Sequence, residues 1–324
     1  MTKAQILARE RNWIFRAGLA SALGALIALG GYFLLQSSLG GEANFESLVE
    51  AHSNSSSVLV AGVLTTVGYA LLVLPMHFLF RAAQSRAPQM RKQLIGVVVL
   101  GPVLLAVSGV VLAGGTQQAA NTYLDGKAKL TLSPQEANEK CVSARNDKGA
   151  KSFAEEFPVA AGSTSMQACE EKKAKEDKAS NAIRDSSLIS IGQFSGLAGY
   201  LALLVGLMYT GLWSMRTGLL SRFWGSLGMA VGVAALIGFT PIVFIWFIYL
   251  GLLLIGKLPN GRPPAWAAGE AVPWPTAGQR VAKEIEPPDP DAIDVGEPEP
   301  PEGPTPGDGN GTGGGERRKR KRRG

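Results

Sequence analysis

The sequence predicts an all-α protein, a polytopic membrane helix bundle that carries an extracytoplasmic helical hairpin and a disordered C-terminal tail. Composition is the first reason, since 46% of the 324 residues are hydrophobic and the mean hydropathy is +0.12. Charge placement is the second, because the 32 Lys and Arg and the 26 Asp and Glu residues cluster in a few segments. The long apolar stretches between those segments contain His77 as their only acid or base.

Four apolar stretches are long enough to cross a membrane: Ala17–Gln36, Val58–Phe80, Leu94–Gly115 and Leu188–Trp213. A helix needs about 20 apolar residues to cross hydrocarbon about 30 Å thick. The first stretch is longer than the roughly 7–15 apolar residues of a signal-peptide core, and no small-residue cleavage site follows it. It is therefore predicted to be a retained signal anchor.

A fifth stretch, Phe223–Gly256, has two solutions. As one helix rising about 1.5 Å per residue it would be roughly 50 Å long, too long for a single span. Gly238–Pro241 at its middle favours a turn, because Pro lacks a backbone donor and disfavours helix just before it. Two short spans joined by a tight hairpin would give six spans in total, and one tilted, kinked helix would give five.

The distribution of Lys and Arg predicts which segments face the cytoplasm. Residues 1–16, 81–93 and 214–222 are basic, whereas residues 37–57 contain no Lys or Arg. The segment after Gly256 is basic near its start and at its end, so six spans are preferred, with both termini cytoplasmic in a bacterial plasma (inner) membrane. The predicted order is a cytoplasmic N-terminus 1–16, spans one to three 17–115, an extracytoplasmic segment 116–187, spans four to six 188–256, a Pro- and Trp-rich strap 257–279 and a tail 280–324.

The extracytoplasmic segment 116–187 has 11 basic and 11 acidic residues and few large apolar ones, so it cannot form a deep core of its own. Two helix starts are visible in it. Ser133 is an N-cap followed by Pro and, at the third helical position, by Glu136, which is a capping box. Thr164 and Gln167 form a second box, which begins a charged helix that is predicted to continue into the fourth span.

The only two cysteines, Cys141 and Cys169, lie one on each of these predicted helices. Because the external side of a bacterial membrane is oxidising, a disulfide that joins the two helices is the preferred interpretation. A redox-active pair is the alternative, but the Cys-x-x-Cys spacing that lowers a thiol pKa is missing. The segment has no His, so a metal site is not expected there.

The predicted spans contain no Asp, Glu, Lys or Arg. Charged side chains inside a membrane usually mark ion or proton pathways, so an ion-coupled transporter or a pump for charged substrates is not favoured. A channel is less strongly disfavoured, because carbonyl filters and dewetting gates need no charge. His77, four residues before Arg81 at a cytoplasmic span end, is interpreted as a hydrogen-bonded or snorkelling side chain, with a ligand role as the alternative.

Small residues recur at four-residue spacing within the spans, at Ala20/Gly24/Ala28, Gly192/Gly196, Ser195/Gly199 and Gly228/Gly232. Such spacing lets helix backbones approach closely. Packing within the bundle is the preferred interpretation, and a homo-oligomer face is the alternative.

The tail from about Arg280 is rich in Pro, Gly and acidic residues and is predicted to be disordered. It ends in seven consecutive bases: Arg317, Arg318, Lys319, Arg320, Lys321, Arg322 and Arg323. A solvated tail whose basic end folds back on its own acidic stretch is the preferred interpretation. Another is a lipid contact, since each base near an anionic leaflet contributes about 1 kcal/mol. Nucleic-acid binding is not favoured, because no aromatic residues are interleaved to stack on bases.

The strap has a distinctive sequence in two parts, Leu258–Trp266 and Gly269–Pro275. Its two Trp residues are expected to lie against lipid headgroups, and Lys257 and Arg262 are expected to meet lipid phosphates. The strap and the spans before it, Leu188–Pro275, resemble a group of uncharacterised multi-pass membrane proteins of high-GC Gram-positive bacteria. The resemblance implies an integral-membrane localisation and a helical architecture, and it implies no activity.

These features together favour a non-enzymatic scaffold or accessory subunit. Its expected partners are membrane lipids and another membrane protein or a second copy of the chain. The alternative is a passive channel or a carrier for a neutral or lipidic substrate, which Gly-rich spans and the break at Gly238–Pro241 would suit. An enzyme ranks third because the sequence presents no nucleophile–base pair or metal-ligand cluster, and no cofactor is expected.

Overall fold

Every regular element in residues 2–40, 44–158, 164–259 and 261–274, which the computed structural model describes, is helical. These residues belong to one compact unit that ends at Trp274. The helices are α1 Lys3–Ser38, α2 Asn44–Ser53, α3 Ser55–Arg86, α4 Ile95–Leu124, α5 Pro134–Lys148, α6 Ala150–Glu156, α7 Ser165–Asp185, α8 Ser187–Arg216, α9 Arg222–Leu236, α10 Pro241–Ile255 and α11 Ala265–Ala268, with a 3₁₀ turn at Lys92–Leu94.

The four predicted long spans are confirmed as helices that are long and apolar enough to cross a membrane. They are α1, α3, α4 with the preceding 3₁₀ turn, and α8. Each helix extends beyond the apolar stretch that predicted it. Because of these extensions, α1 and α3 both carry charged residues beyond the span, at the same end of the bundle.

Small residues set the distances between these helices, as the four-residue spacing predicted. A Cβ added to Gly68 of α3 would lie 2.5 Å from the Ala28 Cβ of α1. A Cβ added to Gly101 of α4 would lie 2.6 Å from the backbone nitrogen of Leu203 in α8. Neither position has room for a larger side chain, so the helix backbones are in direct contact there.

The chain reverses direction between α9 and α10, which a single kinked helix would not do. Trp224, near the start of α9, stacks on Tyr249, near the end of α10, with ring centroids 3.3 Å apart. The turn between the two helices contains Gly238 at φ +94°, a backbone conformation that favours Gly. Each helix has 15 residues, or about 22 Å at 1.5 Å per residue, which is shorter than the four long helices.

Two groups of segments outside the long apolar stretches lie at opposite ends of the bundle. We call one group the strap end: residues 2–16, 81–94, 214–222, 257–259 and 261–274. A backbone hydrogen bond from Val272 to Thr217, 3.1 Å long, connects two of its segments. We call the other group the lobe: residues 44–53, 125–158 and 164–186, which include α2, α5, α6 and α7.

The helix starts predicted for the lobe are confirmed. The Ser133 hydroxyl accepts from the Glu136 N–H while the Glu136 carboxylate accepts from the Ser133 N–H, and Thr164 and Gln167 form the second capping box in the same way. The expectation that the second helix continues into the fourth span was wrong. Ser186 breaks it with an extended backbone, φ −76° and ψ 107°, and its hydroxyl caps α8 by accepting from Ile189.

Candidate functional site

An ion pair between Glu10 of α1 and Arg86 of α3 is buried at the strap end. Nη1 of Arg86 lies 2.5 Å from Oε1 of Glu10, and Nη2 lies 2.8 Å from Oε2, so the contact is bidentate. The Arg86 side chain is fully buried and that of Glu10 is 5% exposed. Two charges can be removed from water in this way only if their remaining hydrogen-bonding groups are also satisfied.

The Arg86 guanidinium meets that condition, because all five of its N–H groups have an acceptor. Nη1 also donates to the Ala82 carbonyl at 3.0 Å, and the Ala265 carbonyl accepts from Nε at 3.3 Å and from Nη2 at 3.0 Å. The guanidinium carbon lies 5.5 Å from the centre of the Trp266 ring, within the range of a cation–π contact. We call Glu10, Arg86, Ala265 and Trp266 the strap junction, since they join α1, α3 and the strap.

Trp266 packs inside the protein, so the expectation that it lies against lipid headgroups was wrong. It is 6% exposed and stacks on Phe78 of α3, with ring centroids 5.9 Å apart and an interplanar angle of 9°. Its Nε1 donates to the Leu219 carbonyl at 3.0 Å, and Nε1 of the half-buried Trp274 donates to the Leu220 carbonyl at 2.9 Å. The loop after α8 presents carbonyls that have no helical partner, and the two indoles satisfy them.

Arg262 was expected to meet lipid phosphates, but its guanidinium hydrogen-bonds to the protein. Its Nη2 donates to the Leu254 carbonyl at 2.6 Å, in the last turn of α10. A cation at a helix C-terminus is stabilised by the partial negative charge of the last carbonyls. Arg262 therefore caps α10 and fixes the start of the strap.

A cavity of about 510 Å³ opens beside the strap junction, between α1 and α3. Arg9, Trp13 and Arg16 line it from α1, and Leu74, His77 and Arg81 line it from α3. His77, which the sequence presented as a lone histidine, thus faces a cavity that contains three arginines. Glu10 also borders the cavity, but both of its carboxylate oxygens already accept hydrogen bonds from Arg86.

In the lobe, the predicted pairing of the two cysteines is present. The sulfur atoms of Cys141 and Cys169 are at bonding distance, 2.05 Å apart, and their Cα atoms are 6.0 Å apart. Phe153 and Phe157 pack on the pair and complete a small buried cluster. The lobe thus has the shallow core expected from its composition, and the bond joins α5 directly to α7.

Asp177 of α7 is the most heavily hydrogen-bonded carboxylate in the described part of the lobe. It accepts from the Thr131 N–H at 2.6 Å, from the Leu132 N–H at 3.0 Å and from the Thr131 hydroxyl. Burial acts to raise the pKa of this carboxyl, but these bonds to the charged form outweigh it, so the pKa is lowered from its usual value. Asp177 therefore attaches the segment before α5 to α7.

The described residues contain no group of three or more His, Cys, Asp or Glu side chains that could hold a metal ion. The seven tail bases, Arg317 to Arg323, lie outside the described residues, as does the strap beyond Trp274. Neither the strap junction nor the cavity was predicted from the sequence. One local signal was available, because residues 1–16 contain four bases and a single acid, Glu10. Nothing in the sequence pattern identifies Arg86 as the partner of Glu10.

Comparison with known proteins adds no relative: no family model, no curated protein and no solved structure matches this chain. The resemblance to uncharacterised multi-pass proteins therefore stays a prediction.

Proposed function

We propose that this protein is a non-enzymatic scaffold or accessory subunit of a bacterial plasma membrane, with six spans and both termini in the cytoplasm. The observation that carries the proposal is the ordered structure at both ends of a closely packed helix bundle. At one end a buried ion pair fixes the strap on the bundle, and at the other a disulfide joins the helices of the lobe. A protein that presents fixed surfaces on both sides of a membrane is suited to positioning other proteins.

The proposed orientation is supported by charge. The strap end has 12 Lys and Arg residues and 2 acidic residues, whereas residues 116–187 are balanced at 11 of each sign. Segments rich in Lys and Arg stay on the cytoplasmic side, and the external side is where a disulfide forms. Protease applied to right-side-out cells should cleave the lobe and spare the chain after Trp274. Cleavage after Trp274 from outside would contradict the six-span topology.

The test of the scaffold role is cross-linking in living cells, followed by purification from native membranes. We expect a partner in stoichiometric amount with the full-length chain. A version ending at Gly315 lacks the basic run, and a Cys141→Ser/Cys169→Ser version lacks the disulfide of the lobe. The version that loses the partner shows which end of the protein binds it. The Ala144→Ser/Ala168→Ser version is the matched control, because it adds two hydroxyls beside the disulfide and keeps the bond. Recovery of the protein without any partner would count against the proposal.

The tail bases are included in the proposal as a contact to anionic lipid headgroups. Each base near such a surface contributes about 1 kcal/mol, so seven would keep the end of the chain at the membrane. The version ending at Gly315 tests this contact when a label near Gly315, present in both versions, reports the distance to the leaflet: we expect the label to lie further from the leaflet in the shortened chain.

A passive channel or a carrier for a neutral or lipidic substrate is the second candidate, and one observation favours it. The Tyr69 hydroxyl is buried between the helices beside Tyr200, whose own hydroxyl lies 3.3 Å from Oγ1 of Thr240 at the tip of the α9–α10 hairpin. These three hydroxyls lie close together within the bundle, where a neutral polar substrate would find hydrogen-bonding partners. Flux in proteoliposomes that disappears with Tyr69→Phe would support this candidate, and flux equal to that of empty vesicles would remove it.

A further inference from the structure

The cavity between α1 and α3 has a basic half and an apolar half. Arg9 lies toward the strap end, Arg16 and Arg81 lie further in at about the same level of the two helices, and Leu74 lies deepest. The cavity extends about 12 Å along α1, because Ala17 comes eight positions after Arg9. The cavity therefore extends from the charged end of the bundle into the apolar part of the helices.

The basic half has an excess of positive charge. No carboxylate of the described residues lies within ion-pair distance of Arg16 or Arg81. Arg16 contacts the ring of Trp13, 5.7 Å from its centroid, and Arg81 donates to the neutral Gln84 side chain at 3.2 Å. Glu10, the one acid that borders the cavity, is already neutralised by Arg86. An anion that enters the cavity would thus meet the guanidinium groups of Arg16 and Arg81, neither of which is in an ion pair with a described residue.

The apolar half makes a lipid a better fit than a free anion. Leu74 is 41% exposed and lies about two turns deeper than Arg81 along α3, in the apolar part of the bundle. An acyl chain would cover this side chain, whereas inorganic phosphate would use only the basic half. Basic pockets between helices on the cytoplasmic side are a known means of binding lipid headgroups.

We infer that this cavity binds the phosphate of an anionic phospholipid through Arg16 and Arg81, with an acyl chain against Leu74. His77 lies between the two halves and can donate a ring N–H to the same phosphate. The inference is independent of the proposed scaffold role, because it concerns one cavity at the strap end and requires no protein partner.

The test uses delipidated full-length protein in detergent, titrated with phosphatidylglycerol and, separately, with phosphatidylcholine, while retained lipid is counted by native mass spectrometry. The wild type should retain phosphatidylglycerol and release phosphatidylcholine. Arg16→Gln/Arg81→Gln should weaken retention about tenfold or more, since each base contributes about 1 kcal/mol and 1.4 kcal/mol is a factor of ten. The control is Arg11→Gln/Arg91→Gln, which removes the same charge from the strap end without touching the cavity and should change retention less than twofold.

Two further arms separate the possible outcomes. Leu74→Ser should weaken retention of the lipid, and inorganic phosphate at millimolar concentration should not displace it. Displacement by phosphate alone would mean that the site takes a soluble anion. Equal losses in the cavity variant and the control would mean that the lipid binds a general basic surface, and unchanged retention in the cavity variant would overturn the inference outright. If Arg16→Gln/Arg81→Gln does not fold, Arg16→Lys/Arg81→Lys preserves the charge and should retain the lipid while losing bidentate contacts.

Discussion

The strap end and the lobe are held together by different kinds of interaction. At the strap end, Arg86 contacts Glu10, 76 residues earlier, and Ala265, 179 residues later. In the lobe, capping boxes act over three residues, and the disulfide joins positions 28 apart. The strap end depends on one buried charged group that touches three segments, and the lobe depends on several contacts that are mostly local and exposed.

This difference has a consequence for how each end responds to mutation. Removing one member of a buried ion pair leaves the second charge unpaired in the protein interior, where water cannot solvate it. The folded state is strongly destabilised as a result. Removing one exposed contact costs little, because water replaces it. We therefore expect a single substitution at the buried ion pair to destabilise the whole strap end. A single substitution in the lobe should destabilise only the element that carries it.

The largest effect is expected for Arg86→Met. Glu10 would stay buried without its guanidinium, and the Ala265 carbonyl would lose both of its donors, so we expect a loss of about 3–5 kcal/mol in the strap end. Hydrogen exchange measured in lipid nanodiscs should show faster exchange for residues 264–274 and no change in α5 and α7.

Two controls sharpen that expectation. Arg91→Met, five residues after Arg86, removes an exposed arginine that does not line the cavity and should leave exchange of the strap unchanged. Glu10→Leu/Arg86→Met replaces the whole pair with apolar side chains and should recover much of the loss, because no unpaired charge remains. If the double variant is as unprotected as Arg86→Met, the cost lies in the bonds to the Ala265 carbonyl rather than in the buried charge.

The next effect is expected for Cys141→Ser/Cys169→Ser in the lobe. Opening a loop of this length should cost about 3–4 kcal/mol in the chain-entropy model. Exchange in α5 and α6 should rise, and the strap should keep its protection, in the reverse of the pattern for Arg86→Met. Treatment of the wild type with dithiothreitol should reproduce the change. A simultaneous loss of protection in the strap would show that the two ends are coupled through the bundle.

The same division explains what the sequence could predict. The four long spans, both capping boxes and the cysteine pair were predictable, because each depends on apolar length, on a three-residue spacing or on a residue type that occurs only twice. The burial of Arg86 and Trp266 was not, because a basic residue beside a span and a Trp near a helix end carry the same local pattern whether they face lipid or protein. The break at Ser186 was missed as well, since its hydroxyl is oriented by Gln118 of α4, 68 residues away.

A smaller effect is expected for Asp177→Asn, and it should depend on pH. The pKa of Asp177 is lowered in the folded lobe, so its contribution is present above the pKa of the unfolded chain, near 4, and is lost as the pH falls through the folded value. After allowance for solvent screening we expect about 1 kcal/mol at neutral pH. Thermal unfolding of the lobe at pH 7 should separate wild type from variant, and the difference should shrink toward pH 3.

The control for this experiment is Glu139→Gln, because Glu139 and Asp177 line one shallow pocket of the lobe. This variant should show the same change in unfolding temperature between pH 7 and pH 3 as the wild type. If the unfolding temperatures of wild type and Asp177→Asn differ by the same amount at both pH values, the effect comes from lost packing and not from the charge.

The smallest effects compare one motif at the two ends, because Thr2 and Gln5 form a capping box at the start of α1 just as Ser133 and Glu136 do at the start of α5. Replacing either cap by Ala should cost about 1 kcal/mol locally. In α5, which has 15 residues and buries few side chains, Ser133→Ala should raise exchange along the whole helix, and Ser133→Asp should restore it. α1 has 36 residues and is fixed about two turns further on by Glu10, so Thr2→Ala should affect the first turns alone. Exchange that spreads from Thr2→Ala into the strap would show that the junction depends on the start of α1, and would remove the contrast between the two ends.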